Sequence, residues 1–594
     1  MSRIVFTQEA PSEYLWLLYL DLPKGAPVVH GVRLPIVTIF VLSALTFIPL
    51  GQIIGQQLDV FRAEGRALVG YACDLFGSLL GVIGFAIASF AGARPWVWFV
   101  VIFIAALFFL RRPAAIGIAA LCFAGVVSIV YLGDLADAWS PYYALRKVDL
   151  PKNDGFLILA NGALHQYAIP ARRTDAVHNV EAMSLRATLH FPYSLLTRRP
   201  QRVLVLGAGS GNDVATALDM GIPQIDAVEI DPVILRMGES HPDRPYDSPR
   251  VRRINDDARS FLNRDPTQYD LVIFGTLDSM TRLSALSNVR LDNFVYTRQC
   301  MEAAKRHLAP GGGLVLLFAV QRDYIDQHLR MLLTSVFGRQ PAVAKFQRAT
   351  VYMCGPAFER IEPTTPLAVD TSVVPTDDWP YLYLRSRGVT SFYLELIGIF
   401  GLIAAVAIGL IVLPRQRAAI RFDGPMFFFG LAFLLLETKS VTEMNLVWGT
   451  TWITSAVVFG SILAMVLAGT LLTAWKPMPW PVAASGLVAA MILNYFTPVQ
   501  SVVGLSAPVR LLFSLFFVGT PVFFASICFA RLFAGEEETD LAFGWNVAGA
   551  VAGGLLEFTS MEFGLKAMTL IALAAYLVAF AFSRRSSMVL TSAR

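Results

Sequence analysis

The residues best suited to chemistry lie near the middle of a 594-residue chain. The apolar run 203–206 reads as a buried strand, and Gly207-Ala208-Gly209-Ser210-Gly211-Asn212 follows it directly. Glycines there let the backbone turn tightly and approach a nucleotide closely, and Asp213 opens the helix beyond. About 22 residues after Gly207, Ala227-Val228-Glu229-Ile230-Asp231 reads as a second strand ending in a carboxylate, placed to hold ribose hydroxyls. Segments 251–254 and 269–274 predict a third and a fourth strand. The fourth leads into Gly275-Thr276-Leu277-Asp278-Ser279, and Leu308-Ala309-Pro310-Gly311-Gly312-Gly313 precedes an apolar strand over 314–318. A doubly wound sheet places reacting groups beyond the carboxyl ends of its strands. Asp278 and Ser279 are therefore the first catalytic candidates, with Tyr296 and Asp292 after them. His165 and Gln166 are further candidates for touching a ligand. The glycine spacing is G-x-G-x-G and not G-x-G-x-x-G, which disfavours a dinucleotide without excluding it.

These residues need a scaffold, and the scaffold changes character along the chain. Over 135–388 charges, histidines and prolines are frequent, and strands alternate with helices as in a parallel α/β sheet. On both sides of it the chain reads as membrane. Hydrophobic residues make up 55% and charged residues 15% of the chain, against about 25% charged in ordinary soluble domains. The mean hydropathy is +0.56. Windows long enough to cross a bilayer, about 20 residues, fall near 35–55, 66–92, 95–111 and 113–133, then 391–414, 425–447, 451–475, 479–497, 508–533, 541–560 and 564–583. The expected fold is thus a multi-pass α-helical membrane protein with an inserted Rossmann-like α/β domain. It divides into 1–134 with about four spanning helices, 135–388, and 389–594 with about seven. The segment 13–22, with Trp16 and its tyrosines, looks interfacial. The start of the chain lacks a secretory-signal pattern, so insertion is expected to be driven by the first spanning helix.

Several partner classes are disfavoured. A net charge of +4 gives no case for nucleic-acid binding. The five cysteines form no CxxC pair, so neither a disulfide framework nor a metal site is expected. Ionisable groups inside membrane helices are costly and point to function by default. Glu437, Lys439 and Glu443 lie in one apolar window, with Lys439 and Glu443 spaced to pair at i,i+4. Asn546 and Glu557 are expected to share a face of the glycine-rich window 541–560. These five residues form either a polar pathway or cation site, or interhelical glue.

The order of motifs in the α/β region resembles the S-adenosylmethionine-binding fold of class I methyltransferases, and within it spermidine synthases and other aminopropyltransferases. The resemblance covers about 150–340 and is most specific in V-x-E-I-D-P at 228–232, D-D-A-R at 256–259 and Y-D-L-V-I at 269–273. The segment 158–166 looks like the small β element that precedes that fold. Both membrane portions look like those of bacterial membrane-integrated spermidine-synthase-like proteins, through segments such as Thr376-Asp377-Asp378-Trp379-Pro380 and Leu436-Glu437-Thr438-Lys439.

The resemblance implies S-adenosylmethionine or its decarboxylated form as cosubstrate. It implies that Gly207, Gly209 and Gly211 pack on the methionine and ribose parts, that Glu229 binds the ribose hydroxyls, and that Asp257 accepts from the adenine amino group. The plainer reading of Asp257 is a helix cap. Spermidine synthases carry Asp-x-x-Asp after the fourth strand, and the first Asp helps take a proton from the attacking amine. Here that position is Gly275, and Asp278 is the carboxylate retained. The Tyr-(His/Gln)-Glu segment lining the amine site falls in register on Leu185, Arg186 and Ala187.

Three chemistries then fit: alkyl transfer to another acceptor such as a polyamine or a lipid-derived amine, intramolecular lyase cleavage releasing methylthioadenosine, and methyl transfer. A transporter or sensor that binds the nucleoside without turnover is the alternative class. The expected partners are the sulfonium nucleoside, the acceptor and membrane lipids, and a homodimer is compatible with the sequence. Basic residues fall almost equally on both faces of the membrane, so the positive-inside rule gives a near tie. A bacterial inner membrane with the α/β domain in the cytoplasm is expected because the cosubstrate is made there.

Overall fold

The computed structural model describes residues 36–150, 154–171, 180–277, 294–320, 322–347, 349–362, 370–412, 422–449, 452–534 and 539–592. The chain forms two compact units, one containing residues 84–383 and the other residues 36–83 with 384–592.

The first unit holds two sheets. The smaller is an antiparallel ribbon in the order β1 (Ala138–Trp139), β2 (Ala144–Asp149), β3 (Phe156–Ala160) and β4 (Ala163–Ala168). The larger has seven strands: β5 (Arg202–Leu206), β6 (Gln224–Glu229), β7 (Val251–Asn255), β8 (Tyr269–Phe274), β9 (Leu308–Phe318), β10 (Ala342–Lys345) and β11 (Thr350–Cys354). Their spatial order is β10-β11-β9-β8-β5-β6-β7. Strands β5 to β9 are mutually parallel along this order, while β11 runs antiparallel to both β9 and β10. Val203, Leu204, Val205 and Leu206 are fully buried, as expected of a central strand covered on both faces.

The chain moves from β5 outward through β6 to β7, then returns across β5 to β8 and β9. Strand order therefore reverses between β5 and β8, which opens a crevice at their carboxyl ends. Register brings the key residues level with that crevice. Leu206 pairs with Val228 on one side and Phe274 on the other, so Gly207, Glu229 and Gly275 emerge at one edge of the sheet. The strands expected at 203–206, 251–254 and 269–274 are all present. The segment 308–313, expected to precede the strand over 314–318, already belongs to β9: Leu308 pairs with Tyr269, and pairing jumps from there to Gly313 opposite Leu271. Gly311, at φ +81°, supplies the backbone conformation for this irregularity.

Every apolar window read from the sequence is helical. Among the described residues seven helices are long and apolar enough to cross a membrane: Phe40–Ala63, Leu68–Phe90, Pro113–Gly133, Gly424–Trp448, Trp452–Trp475, Ala507–Leu532 and Leu565–Ser583. Pro95–Leu107, Tyr393–Gly409 and Trp480–Phe496 are apolar but shorter, so seven helices meet the length criterion, against the eleven windows read from the sequence. Proline sets some of these limits, because Pro113 and Pro479 stand where one helix must end before the next begins. The expected helix 541–560 stops at Leu556, and Glu557–Thr559 is a 3-10 turn.

In the second unit the helices Gly424–Trp448 and Thr539–Leu556 approach backbone to backbone. A Cβ at Gly430 would collide with the Asn546 carbonyl, and Cβ atoms at Gly549 and Gly553 would collide with the Phe427 and Leu431 carbonyls. Small residues at such crossings replace side-chain interdigitation with direct backbone packing.

Candidate active site

The glycine turn is held by its neighbours on both sides. The Gly207 and Ala208 amides both donate to the Val228 carbonyl at 2.9 Å, which ties the turn to the end of β6. The Gly209 amide donates to Glu229 Oε2 at 2.8 Å, and the Asp231 amide donates to Glu229 Oε1 at 2.9 Å. Glu229 is thus buried beneath the loop, its carboxylate held by backbone amides. A carboxylate has about four lone-pair sites, so the group keeps acceptor capacity beyond these donors. Burial pushes the Glu229 carboxyl up to about 7, against the opposing pull of the Asp231, Gly209 and Ile230 amides.

Gly207, Gly209 and Gly211 all have positive φ, at +72°, +56° and +107°. Gly209 also has no room for a side chain, because a Cβ there would collide with Gln166 Oε1. That Gln166 oxygen accepts from the Ser210 amide at 3.0 Å and the Ser210 hydroxyl at 3.2 Å. Strand β4 therefore clamps the loop through Gln166. His165, the preceding residue, packs its ring 5.4 Å from Tyr143. Burial lowers its imidazole to about 4, and its Nδ1 has no hydrogen-bond partner.

Three site residues escape the sequence reading. The Ser140 hydroxyl donates to Asp231 Oδ2 at 2.6 Å, while Asp231 Oδ1 caps the helix Pro232–Gly238. Tyr142 stands among the carboxylates of Asp257, Asp231 and Glu229; burial and then those charges raise its phenol. The Tyr246 hydroxyl donates to the Gly209 carbonyl at 2.7 Å. Ser140 and Tyr142, before the large sheet begins, and Tyr246, in the 3-10 turn Pro245–Asp247 ahead of β7, carry no motif, so only their placement marks them.

Asp213 lies in the first turn of the helix Asn212–Asp219. Burial pushes its carboxyl up to about 7. No Lys or Arg among the described residues neutralises Asp213 or Glu229. The Gly275 amide donates to the Leu206 carbonyl at 2.9 Å, which fixes the departure of the chain from β8.

Asp257 is half-buried and caps the helix Ala258–Arg264, its Oδ1 accepting from the Ser260 amide at 2.8 Å. The capping reading is therefore realised, beside the site. Two of the motifs meet here: Arg259 pairs with Asp377 Oδ2 at 3.0 Å, both buried, and Asp377 Oδ1 accepts from the Thr297 hydroxyl at 2.7 Å. Tyr296 is fully buried with its ring 5.1 Å from Phe318, a packing position in the core. Asp278, Ser279 and Asp292 lie outside the described residues. Among the described residues no group of three or more His, Cys, Asp or Glu is placed to hold a metal ion.

The ionisable and amide residues singled out in the apolar windows form contacts within the second unit. Lys439 is buried, pairs with Glu443 as spaced, and donates to Asn494 Oδ1 at 3.0 Å. Asn494 Nδ2 in turn donates to the Phe517 carbonyl. Glu557 accepts from the Thr442 hydroxyl at 3.3 Å. Asn546 donates to the Met426 carbonyl at 3.1 Å, and Glu437 is half-buried. Each of these bonds except the Lys439–Glu443 pair crosses between elements, the pattern of interhelical glue.

No family model matches the chain. Polyamine aminopropyltransferase 2 of Pseudomonas aeruginosa is 28% identical over 156 residues, which is 25% of this chain and 43% of that protein. The chain thus spans less than half the length of that relative. A polyamine aminopropyltransferase of Escherichia coli is 23% identical over 209 residues, 33% of this chain and 69% of that protein. Among solved structures, spermidine synthase from Thermotoga maritima is 12% identical with a TM-score of 0.30, over 44% of this chain and 87% of that one. Over a quarter to a third of its length the chain is similar at low identity to polyamine aminopropyltransferases.

Proposed function

We propose that this chain is a membrane-integrated enzyme that binds S-adenosylmethionine or its decarboxylated form. It cleaves the bond between sulfur and the alkyl chain and releases methylthioadenosine. The observation that carries the proposal is the Glu229 carboxylate, set at the end of β6 and held beneath the glycine turn by the Gly209 and Asp231 amides. Two adjacent ribose hydroxyls need two acceptor oxygens side by side. Gly207, Gly209 and Gly211 would face the methionine and ribose parts, and Asp257 the adenine amino group. A site with two carboxylates that no Lys or Arg neutralises suits a cationic sulfonium.

The sulfonium supplies an activated leaving group, and the chain supplies orientation, water exclusion and a place for a proton. The acceptor is a nitrogen nucleophile, either a polyamine or an amphipathic amine reaching the site from the lipid. In this reading the α/β domain, residues 135–388, sits on the cytoplasmic side of a bacterial inner membrane, between helices of 1–134 and 389–594. Low-identity similarity to polyamine aminopropyltransferases supports transfer over other chemistry of the same fold.

Incubating the full-length protein with each sulfonium, with and without putrescine, tests the proposal. Methylthioadenosine formed with amine supports transfer, and methylthioadenosine without amine indicates intramolecular cleavage. S-adenosylhomocysteine would mean methyl transfer. A second reading, binding without turnover to gate a transporter or sensor, is favoured by Gly275, where a carboxylate is missing. Sulfonium binding with no product of either kind would establish it.

A further inference from the structure

Position 275 cannot carry the missing carboxylate without distortion. A Cβ there would lie 2.8 Å from the Gly207 carbonyl oxygen and 3.3 Å from that of Leu206. The same Cβ would lie 3.6 Å from Asp213 Oδ2. A carboxylate therefore already stands at the place where a residue-275 side chain would begin, delivered from the first turn of the neighbouring helix. Within electrostatic reach of Asp213, the Tyr193 hydroxyl from the helix Val180–Ser194 is buried with no hydrogen-bond partner. That helix also carries Leu185, Arg186 and Ala187, the register of the expected amine site. A carboxylate at the place of the absent side chain and a buried hydroxyl that lacks a partner form a polar niche suited to a ligand group.

We propose that Asp213, with the Tyr193 hydroxyl in electrostatic reach, is the group that takes the proton from the nitrogen nucleophile, in place of the carboxylate absent at 275. This rests on the sulfonium chemistry proposed above and names its base. The incoming ammonium gives one proton to the Asp213 carboxylate and becomes a neutral amine. Its lone pair attacks the carbon attached to sulfur; the N–C bond forms as the C–S bond breaks, and the bonding pair stays on sulfur as a neutral thioether. The product nitrogen keeps its positive charge, and Asp213 later returns its proton to water. The titratable groups facing Asp213 are the phenols of Tyr193 and Tyr246, and Tyr246 also senses Glu229. With no cation beside it and burial raising it to about 7, Asp213 can both accept and release a proton near neutrality.

Calorimetry of the full-length protein with S-adenosylmethionine, in two buffers of different ionisation enthalpy at pH near 7, reads this directly. Binding a cation next to a half-protonated Asp213 should release a fraction of a proton per site, and Asp213→Asn should lower that release to the part that belongs to Glu229 while still binding. Methylthioadenosine formation in Asp213→Asn should fall by about 100-fold or more, and the decline in rate below about pH 7 should vanish from what remains. Asp213→Glu, which keeps the acid in a shifted place, should keep proton release and lose turnover by about tenfold; it serves if the Asn variant does not fold. Undiminished turnover and an unchanged pH profile in Asp213→Asn would overturn the assignment. If the wild-type protein binds neither sulfonium, the parent proposal fails as well. Binding with a proton release that Asp213→Asn leaves unchanged rejects Asp213 and leaves that proposal standing.

Discussion

Glu229 and Asp213 set the local balance between stability and function. An acid whose folded pKa is raised contributes stability while protonated and loses it as pH climbs through the folded value. Both carboxyls are raised to about 7 from ordinary values of 4.5 and 3.8. The ligand-free protein should therefore become less stable as pH rises from roughly pH 4 to pH 7 and level off above that. Thermal unfolding across that range checks this, and Glu229→Gln should flatten the dependence. The same substitution replaces one acceptor oxygen by a donor facing the ribose. Sulfonium affinity should drop by about tenfold or more, measured by calorimetry at one fixed pH. Gly275→Asp, designed to restore the family's carboxylate, should fail: its Cβ meets the Gly207 carbonyl at 2.8 Å. Overpacking of this kind costs about 1–3 kcal/mol, so the variant should bind sulfonium more weakly than the wild type and not turn over faster.

At the scale of elements, the site depends on pieces far apart in sequence meeting at one sheet edge. The ribbon β1–β4 supplies Ser140, Tyr142 and Gln166, and the large sheet supplies the glycine turn and Glu229. The Arg259–Asp377 pair fastens the helix after β7 to the segment that ends the unit, at 3.0 Å and out of water. Removing one member of a buried pair strands the other charge, at a cost of about 3–5 kcal/mol. Asp377→Ala should thus lower the unfolding midpoint strongly. The double change Arg259→Met with Asp377→Leu should recover much of the loss, because no charge is then left stranded. Equal damage in the single and double variants would assign the motif's importance to something other than this pair. In the second unit, Gly549→Leu should prevent close packing of its helix on Gly424–Trp448, since even a Cβ there collides with the Phe427 carbonyl. Loss of a monodisperse detergent-solubilised protein is the expected outcome.

For the whole molecule, the central proposition is that a nucleoside-binding sheet is carried by helices resident in lipid. Seven helices have the length and apolarity for it. The protein should stay with membranes through an alkaline wash and require detergent for release. If the α/β domain faces the cytoplasm, inside-out vesicles should consume sulfonium from the medium and sealed right-side-out vesicles should not. Consumption by right-side-out vesicles would reverse the orientation, which the near-tie of basic residues leaves to chemistry.

Much of this protein was readable from local pattern. Apolar windows marked the apolar helices among the described residues, and the runs at 203–206, 251–254 and 269–274 marked their strands, because burial imposes composition on a segment whatever surrounds it. The glycine turn and Glu229 were legible for a related reason: close backbone approach and a strand-end acid each restrict residue type at one position. What tertiary structure decided was which distant residues meet. Asp213 beside position 275, Tyr142 among three carboxylates and Arg259 on Asp377 are pairings that no local spacing encodes. The first arises from the crossover that returns the chain from β7 to β8, the second from the docking of the small ribbon, and the third from the return of the segment after β11. A contact made by chain return leaves its mark on two separated segments at once, and neither segment carries it by itself.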